Sequence, residues 1–62
     1  MNLIKIKGCN DKPIFINSDN ITFITYETIE NIDITVIHLI DKVEIYTKQS
    51  VKEIVDLIRK GE

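Results

Sequence analysis

Few side chains in this sequence could carry chemistry. It holds one histidine, His38, and one cysteine, Cys9. A catalytic or metal-binding imidazole needs a carboxylate, a nucleophile or further ligands within reach. His38 stands between Ile37 and Leu39 in an apolar run, and these neighbours supply none. It reads as a packed or edge-facing histidine. A nucleophilic thiol needs a depressed pKa and a base. Cys9 is flanked by Gly8, Asn10 and Asp11, where a nearby acid opposes thiolate formation. It reads as a structural thiol. With one cysteine and no Cys/His cluster, neither an internal disulfide nor a zinc site is expected, and no cofactor is implied.

The acids Glu27, Glu30 and Asp33 are close enough for acid–base work or cation binding. Their spacing matches no calcium loop and lacks its glycine, so a solvated loop is expected. Asn17-Ser18-Asp19-Asn20 reads as an Asx-type turn in which Ser18 or Asp19 accepts a backbone N–H. Lys5, Lys7, Lys42 and Lys48, with Tyr26 and Tyr46, could bind a single strand by phosphate contact and stacking. Lysines at sheet edges also simply discourage aggregation. The formal net charge of −2 favours that second role, because nucleic-acid binders carry a basic excess. The chain is thus expected not to be an enzyme.

The elements that must position these residues are mostly strands. Sixty-two residues make a single domain, residues 1–62. Its own core is marginal, because a chain of this size buries only about 60% of its unfolded surface. Leu3 to Lys7 alternates, with Ile4 and Ile6 on one face and Lys5 and Lys7 on the other. Gly8 to Lys12 is a turn, and Pro13 to Asn17 a second strand begun by proline. Ile21 to Thr28 predicts a third strand, with Ile21 and Phe23 opposite Ile24 and Tyr26. Glu27 to Asp33 is expected to be a polar hairpin loop. Ile34 to Ile40 follows, apolar on both faces and therefore central, with Ile34, Val36 and Ile40 opposite Ile37 and Leu39. Asp41-Lys42 is a tight connection into Val43 to Thr47. Ser50 and Glu53 form a capping box for a helix over about 51–60. Val51, Ile54, Val55 and Ile58 repeat at helical spacing, Arg59 and Lys60 suit its last turn, and Gly61 suits the residue beyond. The expected class is α+β: four to five short antiparallel strands in a strongly curved sheet or small half-barrel, closed by one C-terminal α-helix.

One helix covers one face of such a sheet. Phe15, Tyr26, Ile37, Leu39 and Tyr46 are assigned to the other face, where they would form an uncovered apolar patch. Self-association through these residues is therefore expected, as a homodimer or higher oligomer, together with a protein partner of unspecified identity. The lysine-interrupted start is too short and polar for a signal peptide or a membrane span, so membrane insertion is not expected. A lone cysteine fits a cytoplasmic setting.

The pattern resembles the FlbD family of small flagellar proteins from roughly Ile4 to Ile58. The resemblance is carried by Asn10-Asp11-Lys12-Pro13-Ile14-Phe15-Ile16-Asn17, by Asp19 and Ile21, by Ile34-Thr35-Val36-Ile37-His38-Leu39 and by Ser50-Val51-Lys52-Glu53-Ile54-Val55. The chain departs from that family in Asn17-Ser18-Asp19, where the family typically has Asn-Pro-Asp. It departs again in Asp41-Lys42, where the family has Asn-Gly, and in a longer stretch around Glu27 to Asp33. The resemblance implies no catalytic residues and an association with flagellar motor function through protein contacts. Two alternatives stand beside it. One is a phage or mobile-element anti-defence protein that binds a host nuclease or holds a signalling nucleotide between subunits. The other is a single-strand nucleic-acid-binding dimer, loosely similar to transcriptional positive-cofactor proteins.

Overall fold

The computed structural model describes residues 2–60. Gly61, the residue expected past the helix end, lies outside them. Five antiparallel strands precede one α-helix: β1 (Leu3–Lys7), β2 (Pro13–Asn17), β3 (Ile21–Ile29), β4 (Ile32–Leu39), β5 (Glu44–Thr47) and α1 (Val51–Lys60). The α+β class is as expected. The strands form two sheets, the β1–β2 hairpin and the three-stranded β3–β4–β5 meander. A single bridge between Gly8 and Thr47 links them. A Cβ on Gly8 would sit 3.0 Å from Ile14 Cδ1, a tight contact that the end of the Ile14 side chain would have to relieve by shifting.

The turns follow from local chemistry. Gly8 N–H donates to Lys12 O at 2.9 Å, and Asn10 Oδ1 accepts from Lys12 N at 3.2 Å. Between β2 and β3 lies a short 3₁₀ turn, Ser18–Asn20. Its cap is Asn17, whose Oδ1 accepts from Asp19 N at 3.1 Å and from Asn2 N at 3.3 Å. The accepting side chain is therefore Asn17 rather than Ser18 or Asp19.

The expected acidic loop is a two-residue turn instead. Glu30 and Asn31 have φ of 51° and 67°, the pair of left-handed residues that a tight hairpin needs. β3 and β4 pair up to Ile29 and Ile32, placing Glu27 opposite Ile34 and Thr28 opposite Asp33. Thr28 Oγ1 donates to Asp33 Oδ1 at 2.9 Å. Glu-Asn lacks the usual Asn-Gly signature, so the sequence hid the turn.

The core lies between the two sheets and the helix. Ile4, Ile6 and Ile16 of the hairpin meet Ile37 of β4 and Ile54 of α1, with Ile14, Ile21, Ile24, Leu39, Ile45, Leu57 and Ile58 around them. α1 rests on β1 and β3. It docks through Ile54, Leu57 and Ile58; Val51 and Val55, expected on this face, are half-buried and lie outside that cluster. Burying Ile54 completely is worth about 1.5–3 kcal/mol. The helix begins as expected: Ser50 Oγ accepts from Glu53 N at 3.1 Å. The reciprocal arm is replaced, because Glu53 Oε2 accepts from Gln49 Nε2 at 3.4 Å. Two buried threonines tie the layers together. Thr47 Oγ1 donates to Lys7 O and accepts from Gln49 N, and Thr35 Oγ1 donates to Gln49 O at 2.6 Å.

Candidate functional site: the outer face of the three-stranded sheet

β4 is central, and Ile34 to Ile37 are all buried. Successive residues point to opposite faces, so Ile37 and Leu39 enter the core while Ile34, Val36 and His38 face away from the helix. Two candidate interface residues are thereby corrected. Ile37 is completely buried and Leu39 packs against the core. The alternation was read correctly, but the helix covers the opposite set from the one expected.

β3 changes phase near its start. Ile21 opposes Leu39 and Phe23 opposes His38, leaving Thr22 as the extra residue of a β-bulge. Thr22 Oγ1 donates to His38 O at 3.0 Å. The bulge puts Ile21 on the same side as Ile24, in the core, and leaves Phe23 outside. Ile21 and Phe23 therefore do not share a face. From the register, the outer face carries Phe23, Thr25, Glu27 and Ile29 on β3, Ile32, Ile34, Val36 and His38 on β4, and Glu44 and Tyr46 on β5. Ile34 and Val36 are buried within this face. Phe23, Ile29, Ile32 and Tyr46 stay 43–55% exposed.

His38 organises one end of this face. Its ring stacks on Phe23 with centroids 4.0 Å apart and planes 11° from parallel. Its Nε2 lies 3.0 Å from Thr25 Oγ1 and its Nδ1 3.3 Å from Glu44 Oε2. Tyr46 O–H donates to Glu44 Oε1 at 3.1 Å. That hydrogen bond, and next the Glu44 charge, hold the Tyr46 phenol above its ordinary pKa, with smaller contributions from burial and Glu27. Beside the network lies a shallow depression of about 420 Å³, lined in part by Phe23, His38, Ile40, Lys42 and Val43.

Hydroxyl, imidazole and carboxylate stand in the order of a nucleophile relay. Such a relay also needs donors aimed at a developing oxyanion. Thr25 lies mid-strand on an open face, its backbone paired in register with Val36. Both ring nitrogens are held by these partners, so Phe23 has a fixed platform. Thr25 and Glu44 are not legible as partners of His38 from adjacent residues, because both arrive from neighbouring strands.

The remaining sequence-derived candidates are dispersed. Phe15 is exposed on β2, opposite Lys5. Tyr26 is exposed on the helix side of β3, near Lys48 and the start of α1. Lys5 and Lys7 lie on β1, Lys42 in the β4–β5 turn with φ of 67°, and Lys48 before α1. The four lysines and two tyrosines thus share no single surface, although Lys5 and Lys7 lie together on β1 and Tyr26 lies near Lys48. Glu27 and Asp33 lie in strands, and Cys9 is exposed in its turn. Among the described residues, no group of three or more metal-ligating side chains converges, and no helix is long and apolar enough to cross a membrane.

Comparison of the chain with protein-family models, curated proteins and solved structures returns no match. The resemblance to the FlbD family therefore rests on the turn, strand and cap residues alone.

Proposed function

We propose that this protein is a non-enzymatic interaction module that self-associates through the outer face of β3–β4–β5. The observation that carries this reading is the set Phe23, Ile29, Ile32 and Tyr46, exposed around Ile34 and Val36 on a face that α1 does not reach. Contiguous exposed apolar residues of this kind mark interaction sites. The His38 network supports the reading, because it fixes Phe23 before any partner arrives and so lowers the entropic cost of binding. The half-barrel reading belongs here too: the Gly8–Thr47 bridge would let the two sheets act as one wrapped wall around the isoleucine core. An FlbD-like role, engaging a larger protein assembly through the same face, is compatible with this function.

Light scattering on a size-exclusion column tests the proposal. Wild-type protein loaded from about 10 µM to 1 mM should rise in mass above the 7.2 kDa monomer. Interfaces smaller than about 1,200 Å² are weak, so the rise should be concentration-dependent. Phe23→Asp should hold the protein at monomer mass with unchanged circular dichroism. A wild type that stays monomeric throughout would refute it.

A further inference from the structure

The charge of this chain is divided between its two sheets. The β1–β2 hairpin and its turn carry Lys5, Lys7 and Lys12 against Asp11 alone. The three-stranded sheet and its turns carry Glu27, Glu30, Asp33, Asp41 and Glu44 against Lys42 alone. The division extends to the faces turned away from the core. On the hairpin, Ile4, Ile6, Ile14 and Ile16 point inward, which leaves Leu3, Lys5, Lys7 and Phe15 outward. Leu3 and Phe15 are 57% and 63% exposed. Asp11 lies 3.8 Å from Lys7 Nζ in a solvent-exposed pair that contributes little. The outer face of β3–β4–β5 has the opposite character, with Phe23, Ile29, Ile32 and Tyr46 among Glu27 and Glu44, and Lys42 only at its edge beside the depression next to Phe23 and Glu44.

Resting on the self-association proposed above, we infer that the acidic apolar face of β3–β4–β5 is covered by the basic apolar face of the β1–β2 hairpin of a second copy. Two like faces brought together would bury Glu27 and Glu44 against their own counterparts, and like charges disfavour such a contact. Unlike faces bring Lys5 and Lys7 towards those glutamates, and Leu3 and Phe15 towards the apolar groups between them. A contact between unlike faces leaves each molecule with one free face of each kind. It therefore extends into a ring or an open chain rather than stopping at a two-fold dimer.

The test uses two charge-reversed proteins, Lys5→Glu with Lys7→Glu, and Glu27→Lys with Glu44→Lys. Because Glu44 bonds to His38 and Tyr46, Glu27→Lys alone serves as a second acidic-face variant, and circular dichroism checks each fold. Mass is read by sedimentation at low salt, singly and in equal mixture. Each reversed protein alone should associate at least about tenfold more weakly than wild type, and the mixture should regain assembly, because each then meets a complementary face. Wild-type association should weaken as salt rises from about 20 to 500 mM. If Lys5→Glu with Lys7→Glu assembles as well as wild type, the hairpin face takes no part in the contact; the inference fails and the proposed function stands. Loss of assembly in both variants without recovery on mixing also overturns the inference. A monomeric wild type overturns both readings. So does a monomer that binds a short oligothymidylate at low salt through Lys5 and Lys7, which gives the hairpin face to nucleic acid.

Discussion

Ile37→Ala and Phe23→Ala probe opposite faces of the same sheet and should have opposite signatures. Ile37 has no exposed surface and packs with Ile4, Ile6, Ile16 and Ile54 where hairpin, meander and helix converge. Truncating a buried isoleucine to alanine costs about 2–5 kcal/mol, from lost burial plus the cavity left behind. A domain of this length holds roughly 3–9 kcal/mol in total, so the loss is a large share of it. The melting temperature should fall by at least about 8 °C, since each kcal/mol moves it by about 4–8 °C in a domain this small. Phe23 is 55% exposed and rests on His38. Losing a stacked pair costs about 0.5–1.5 kcal/mol, so Phe23→Ala should melt near wild type while losing self-association. The assay is urea and thermal unfolding followed by far-ultraviolet circular dichroism at about 10 µM, below the range where association is expected, with mass measured separately near 1 mM. If Ile37→Ala melts like wild type and Phe23→Ala collapses, the face assignment is inverted and the proposed interaction surface goes with it.

Three other outcomes follow from local geometry. Ser50→Ala should cost about 1 kcal/mol by removing the helix cap. Glu53→Ala should cost much less, since Glu53 bonds to Gln49 rather than closing a capping box; equal losses in urea unfolding would show the reciprocal arm to be formed. Thr47→Val should cost about 1–3 kcal/mol, because it strands Lys7 O and Gln49 N at the junction of the two sheets. Faster hydrogen exchange at Gln49 should accompany that loss, and an unchanged rate would contradict the bond. Tyr46→Phe tests the raised phenol. The fold favours the protonated form, so the contribution is full below the ordinary tyrosine pKa near 10 and disappears as pH climbs through the raised folded value. The stability gap between wild type and Tyr46→Phe should be constant from pH 7 to 9 and close at more alkaline pH; a gap that widens there would reverse the sign.

The sequence by itself determined the local elements. Alternation in Leu3–Lys7 and Pro13–Asn17, the polar cluster at Gly8–Lys12 and the Ser50 cap ahead of helical spacing are short-range signals, and each element formed where they place it. It also determined that β4 is central, because Ile34 to Ile37 is apolar on both sides apart from Thr35. Only the tertiary structure decided which side of β4 the helix covers. Alternation fixes that Ile37 opposes Val36 and leaves open which of them faces the core. Ile54, arriving over β1 and β3, chose Ile37, and the bulge at Thr22 then turned Phe23 outward onto His38. The Thr25–His38–Glu44 network was likewise illegible, because its three members lie on three strands and meet only when the register is set. The candidate site is therefore a product of strand pairing, whereas the elements that hold it can be read from residues adjacent in the chain.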